Sequence, residues 1–249
     1  MNRIDNLFQN KKQDILSIYF PAGYPNLNDT VPNLEMLQES GVDIVEIGIP
    51  FSDPLADGSA IQMAAKQALD NGMSLRLLFD QLKNVRQTVN MPLILMGYWN
   101  SIYRYGVEKF LIDCQKVGID GLIVPDLPLE EFELHYKADF EKYGVHNVLL
   151  ACPETEEERL EKLIKSSQGF LYMVSSSATT GGDMKVNDKQ KNYFNRIKEI
   201  NTPRLIGFGI SNKENFAYAC EFANGAIVGT AFIKALEKNQ AEDFIKNLK

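Results

Sequence analysis

At 249 residues the chain is long enough for two ordinary domains or one α/β barrel, so length alone does not decide between them. Hydrophobic residues make up 45% and charged residues 24%, as in soluble globular proteins, and no apolar run approaches the roughly 20 residues of a membrane span. A net charge of -7 argues against binding a nucleic-acid backbone, and Cys114, Cys152 and Cys220 show no CxxC spacing, which leaves neither a disulfide framework nor a zinc knuckle.

The start, MNRIDNLFQNKKQD, is polar and amphipathic and lacks the apolar core of a secretion signal, so the expected location is the cytoplasm, with buried thiols. From there, apolar runs of strand length alternate with stretches of helical periodicity to the end of the chain. Eight strands are predicted, at 14–20, 42–49, 92–98, 121–125, 146–152, 169–175, 204–209 and 225–229. Between them lie amphipathic stretches such as DTVPNLEMLQESG, VEKFLIDCQKVG, LEEFELHYKADFEKYG and NKENFAYACEFANG. Gly41, Gly118 and Gly144 end three of these, as a left-handed helix C-terminus requires. GSAIQMAAKQALDNG followed by SLRLLFDQLKNVRQTV predicts two helices between the second and third strands, one more than a simple repeat needs.

Nearly continuous apolar strands that each lead into a helix favour a parallel sheet covered by helices. Closure into a (β/α)8 TIM barrel, one α/β domain over residues 1–249 with extra helices, is the simplest arrangement. A doubly wound open sheet is the competing fold, but the first βα junction lacks a GxGxxG turn. The two histidines, His135 in a predicted helix and His146 at a strand start, lie away from the expected site, so acid and base chemistry falls mainly to carboxylates, tyrosine or lysine.

One strand carries an unexpected residue. In VDIVEIGI, Ile44, Glu46 and Gly48 share one face and Val45, Ile47 and Ile49 the other. If the apolar face meets the helices, Glu46 points into the barrel near the C-terminal end of its strand, where barrel enzymes carry catalytic groups. A buried carboxylate costs several kcal/mol unless paired or neutral, and no neighbouring residue in the sequence supplies a cation; the bland alternative is an ion pair with a distant Lys or Arg. The loop that follows, PFSDPLADG, places Asp53 and Asp57 at the same end, with two prolines to restrict it and Gly58 to free the chain before the next helix. An aspartate in such a loop is ordinarily a turn former. Two carboxylates held near each other would have their pKa values driven apart, giving one acid and one base near neutral pH.

VEIGIPFSDPLADG, fourteen consecutive residues, resembles the signature of the tryptophan synthase α subunit family. YFPAGYP, LMGYWN, VPDLPLEE, TTGG, GFGIS and GTAFIKAL fall in matching order along the chain. The resemblance implies a barrel that cleaves indole-3-glycerol phosphate to indole and glyceraldehyde 3-phosphate by a retro-aldol reaction. It implies no metal and no cofactor in this chain, and a β subunit that carries pyridoxal phosphate in an α2β2 heterotetramer. By motif match Glu46 and Asp57 are its catalytic acids, and Asp53 and Thr180 its links to the β subunit.

The last two barrel turns fit a phosphate site on physical grounds as well. GFGIS and VGT follow the seventh and eighth strands, where Gly209, Gly229 and Thr230 let backbone N–H groups approach an anion closely. Gly181 joins them by resemblance. So do Phe20, Leu95, Tyr98, Tyr172 and Phe208, at predicted C-terminal strand ends, as the apolar slot an indole needs. The loop SSSATTGGDMK departs from the commoner RSGVTG pattern, with Ser176 and Ala178 in place of the arginine and first glycine. A stand-alone lyase, a regulatory subunit with feeble activity and a barrel acting on another sugar phosphate remain as alternatives.

Overall fold

The computed structural model of the chain describes residues 1–54, 57–174, 192–193, 195–196, 200–207 and 209–248. Its strands are β1 (Ile15–Pro21), β2 (Ile44–Gly48), β3 (Leu93–Met96), β4 (Gly121–Ile123), β5 (His146–Asn147), β6 (Leu149–Ala151), β7 (Leu171–Val174), β8 (Arg204–Gly207) and β9 (Gly225–Val228). All pair in parallel, in the order β5-β4-β3-β2-β1-β9-β8-β7-β6. Only Val148 separates β5, which pairs with β4, from β6, which pairs with β7. The two ends of the order therefore meet in one short run of chain, and the sheet curls into the expected α/β barrel.

Strand alternation sorts the apolar residues into two layers. Ile15, Ile44, Ile94, Leu205 and Ile227 meet inside the barrel, whereas Leu16, Ile18, Val45, Ile47 and Leu93 pack outward against the helices. The amphipathic start of the chain forms the helix Arg3–Asn10, whose Ile4 and Phe8 enter the interior cluster. Asn2 and Arg3 bond Asp120, and Lys11 bonds Asp43, residues that precede β4 and β2. This helix thus closes the N-terminal end of the barrel and leaves the other end open.

The expected pair of helices between β2 and β3 is present, as Ser59–Asp70 and Leu75–Leu82. Gly41, Gly118 and Gly144 take φ of 77°, 77° and 70°, the left-handed stops read from the sequence. A further helix, Trp99–Tyr105, lies between β3 and the expected Val107–Val117. Gly106, at φ 94°, makes the corner between them. The strands end one or two residues earlier than predicted at several places, because residues such as Ile49, Gly97 and Tyr98 leave the sheet to build the open mouth. Among the described residues no helix is long and apolar enough to cross a membrane.

Candidate active site

Glu46 sits in the middle of β2, opposite Tyr19 of β1 and Ile94 of β3 in register, and is 0% exposed. Its even-numbered neighbour Ile44 belongs to the interior cluster and Val45 and Ile47 to the outer one, so the glutamate faces inward as the alternation requires. Ser17 Oγ donates to Glu46 Oε1 at 2.8 Å, while Oε2 has no hydrogen-bond partner among the described residues. Nor is Glu46 ion-paired among them. Burial pushes its carboxyl up to about 8, against the opposing pull of the Ser17 hydroxyl. At neutral pH this side chain is mostly a neutral acid.

Asp57 lies in the loop between β2 and the helix Ser59–Asp70. Its N–H donates to Pro54 O at 3.0 Å, and Gln62 of the helix donates to Asp57 O at 2.9 Å, so both turn and helix hold the backbone. Tyr98 Oη donates to Asp57 Oδ2 at 3.3 Å, and the Tyr98 ring stacks on Phe51 with centroids 5.0 Å apart. Burial raises this carboxyl to about 6, and the Tyr98 hydroxyl opposes the rise. The two acids are thus separated near neutral pH by unequal burial and different hydroxyl partners; mutual repulsion, the cause expected from the sequence, is not what separates them. Asp53 is exposed and accepts from Ser52 Oγ at 2.7 Å. Gly58 caps the helix at φ -76°, a conformation open to any residue, so the freedom expected of it is not used.

A cavity of about 540 Å³, its open mouth included, lies at the C-terminal ends of the strands and is lined by Tyr19, Phe51, Asp57, Met96, Tyr98 and Leu150 among others. Of the five residues expected to form an apolar slot, Tyr98 lines it. Tyr172 is buried in the interior cluster, where burial, Glu46 and Asp57 all raise its phenol. Phe20 and Leu95 do not face this space. Phe20 packs against Phe232 at 6.2 Å on the helix side, and Leu95 belongs to the same outer layer. Each stands one residue out of phase, and its inward neighbours Tyr19 and Met96 take the expected place. Phe208 lies outside the described residues.

Tyr19 was missed in the sequence, although its signal was there. In β1 the polar Ser17 and Tyr19 alternate with Leu16, Ile18 and Phe20, as Glu46 does in β2. The Tyr19 phenol is raised by burial first, then by Asp57, Tyr98 and Glu46, so it lies within electrostatic reach of both acids. A Cβ at Gly48 would overlap the Tyr19 hydroxyl, and one at Gly207 would overlap that of Tyr172. Those two glycines make room for the phenols beside the acids.

At the turns after β8 and β9, Gly209 adopts φ 77° and Gly229 caps the helix Thr230–Glu237. No side chain caps that helix and no acidic residue occupies its first turn, so its leading N–H groups and dipole are left for an anion. Gly229 and Thr230 are half-buried beside the mouth. Gly181, Thr180, Ser176 and Ala178 lie outside the described residues. Among the described residues no group of three or more His, Cys, Asp and Glu side chains is placed to hold a metal ion.

The family model described as tryptophan synthase alpha chain matches residues 5–249. This chain belongs to the tryptophan synthase alpha chain family. It is 54% identical over 248 residues to the tryptophan synthase alpha chain of Flavobacterium psychrophilum, spanning 99% of this chain and 98% of that one. The alpha chain of Bacteroides thetaiotaomicron is 50% identical over 242 residues, with 96% and 94% covered. Among solved structures, the alpha chain from Legionella pneumophila is similar with a TM-score of 0.88 at 32% identity, covering 100% of this chain and 96% of that chain.

The activity of the tryptophan synthase alpha chain family is the cleavage of indole-3-glycerol phosphate, which makes this chain a carbon–carbon lyase of tryptophan biosynthesis. The fold agrees with that of the family's solved members, and the name alpha chain implies a beta-chain partner. The two histidines stand elsewhere: His146 pairs with Asp5 at 2.9 Å at the closed end, and His135 is exposed near Glu131. Cys114 and Cys220 are buried as expected of structural thiols, while Cys152 is half-buried against Thr155.

Proposed function

We propose that Glu46 and Asp57 carry the cleavage, with Glu46 exchanging protons at indole C3 and at the glycerol hydroxyl and Asp57 serving the indole nitrogen. The observation that carries this reading is a fully buried Glu46 with no ion pair among the described residues, a neutral acid at pH 7, together with an Asp57 that lines the cavity and is ionised there. Glu46 delivers a proton to C3, and the ionised Asp57 stabilises the positive charge that this places on the indole N–H. The bond between C3 and the glycerol carbon then breaks, its electron pair restores the aromatic ring, and the hydroxyl proton returns to Glu46. One proton arrives and one leaves, so the acid ends as it began and nothing is consumed. Each such group contributes roughly 10²- to 10⁴-fold.

In the same reading the indole lies in the cavity against Tyr19, Met96 and Tyr98, and Tyr172 and Phe208 complete the slot that the family resemblance assigns. The phosphate rests on the N–H groups of Gly181, Gly209, Gly229 and Thr230, where a helix N-terminus favours an anion. The chain works as one barrel domain in the cytoplasm, requires no metal or organic cofactor of its own, and hands indole to a pyridoxal-phosphate β subunit in an α2β2 assembly. Asp53 and Thr180 link the site to that partner. Met63, Tyr103 and Leu134, exposed on the helical segments that follow β2, β3 and β4, support a docking face on that side of the barrel.

The test is indole release from indole-3-glycerol phosphate by the chelator-treated chain, alone and with its cognate β subunit. Slow release that accelerates with β is expected. Fast release unaffected by β would favour a stand-alone lyase, and no release under either condition would remove the catalytic reading.

A further inference from the structure

A serine inside an aliphatic layer calls for a reason. Ser17 is 0% exposed, and its register partners on the flanking strands are Ile44 and Ile227. A buried hydroxyl without a partner is destabilising, and a Val or Ile would fill the layer with no such penalty. The hydroxyl finds its partner in Glu46, donating to Oε1 at 2.8 Å. Oε2 is left without one among the described residues.

We propose that Ser17 is a positioning residue for the cleavage, fixing Glu46 through Oε1 so that Oε2 is the oxygen that exchanges protons with the substrate. The inference rests on the reading of Glu46 as the acid and base. A carboxyl group that shuttles one proton between two atoms of the substrate works best if it does not rotate between the steps. The Ser17 donor secures this, because Oε1 accepts from it both when Glu46 is neutral and when it is ionised. With Oε1 so occupied, the acidic proton resides on Oε2.

The same bond eases the ionised state that must form once C3 has been protonated. Among the described residues, the titratable groups that feel Glu46 are Tyr19 on β1 and Tyr172 on β7, and Asp57 on the loop after β2 acts on the same two phenols. None of these groups is a cation, and among the described residues the Ser17 hydroxyl is the donor that favours the carboxylate. A hydrogen bond to a charged group is worth roughly a ten- to hundredfold change in an equilibrium.

The experiment compares Ser17→Ala, Ser17→Thr and Glu46→Gln with the parent chain, each with the cognate β chain present. Rates are measured across pH, and the Glu46 carboxyl is titrated by carbon-13 NMR, with Glu46→Gln identifying the resonance. Ser17→Ala is expected to lower kcat by roughly tenfold with little change in KM, and to move the Glu46 titration and the alkaline limb of the rate profile up by about one pH unit. Ser17→Thr, which keeps the hydroxyl, is expected to recover most of both effects. An unmoved titration in a folded Ser17→Ala chain would overturn the inference, as would a loss of kcat that a folded Ser17→Thr chain does not recover. If instead Glu46→Gln retains activity, it is the role of Glu46 that fails.

Discussion

The two ends of the barrel each bury a carboxylate, and they treat it in opposite ways. At the closed end Asp120 accepts from Arg86 at 2.6 Å, from Arg3 at 3.0 Å and from the Leu93 N–H at 2.9 Å. At the open end Glu46, as deeply buried, has one serine hydroxyl and no cation among the described residues. A charge that is fully paired stays put and ties three parts of the chain together. A carboxyl left without a cation takes up a proton instead, and that proton is available for chemistry. The same residue class thus serves as a rivet at one end and as a reagent at the other, and the difference lies in the company each is given.

The largest expected effect tests the reagent. Glu46→Gln preserves shape and an acceptor for Ser17 but exchanges no proton, so kcat falls by roughly 10²- to 10⁴-fold while circular dichroism stays that of the parent. Retention of most of the activity would erase the contrast between the two ends. The rivet is tested by Arg86→Met, which leaves Asp120 buried with only Arg3 as a cation. A loss of about 3–5 kcal/mol in unfolding free energy is expected, with kcat nearly unchanged below the melting transition. A variant as stable as the parent would show that Asp120 does not depend on its pairing.

pH separates the ends further. The Glu46 carboxyl lies near 4.5 when unfolded and at about 8 when folded, so between those values the native state binds more protons than the unfolded one. Stability contributed by the neutral form is therefore complete below about 4.5 and is lost as pH rises through about 8. Glu46→Gln removes that loss, and urea titrations at pH 5 and pH 9 are expected to show the variant gaining on the parent at the higher pH (roughly a few kcal/mol at most). An identical pH dependence in both proteins would mean that Glu46 is not held neutral by the fold. In catalysis, the requirement for ionised Asp57 and neutral Glu46 predicts a bell-shaped kcat/KM with limbs near 6 and 8.

How much of this was legible in the sequence depended on whether polarity marked the inward face. In β2 the lone Glu46 fixed the phase, and the layers of the barrel follow it. At the end of β3, Leu95 and Met96 are both apolar, so nothing in the pattern says which one turns inward. The Ser17 and Tyr19 alternation did carry the phase of β1, but its aromatic neighbour Phe20 is equally suited to an indole slot and hid it. The pairing of Arg86 with Asp120 spans 34 positions and leaves no local trace. The split of the fifth strand at Val148 is likewise set by which neighbour each half meets, a property of the closed sheet. Trp99–Tyr105 is too short a helix to show a period.

The smallest effect concerns Asp57, which stands between the two extremes: half-buried, without a cation partner among the described residues, and given a hydroxyl donor at 3.3 Å. Tyr98→Phe keeps the ring that stacks on Phe51 and removes that donor. The Tyr98 hydroxyl favours the carboxylate, so its loss raises the Asp57 carboxyl above its value of about 6. The acid limb of the rate profile, which reports protonation of Asp57, then moves to higher pH while the alkaline limb, set by Glu46, stays in place. The rate at pH 6 should fall by roughly two- to tenfold, with less change at pH 8, because the bond is long and its donor neutral. Movement of both limbs together would mean that the two acids titrate as one unit. An acid limb that does not move would assign it to some group other than Asp57, and the division of labour between an ionised aspartate and a neutral glutamate would have to be redrawn.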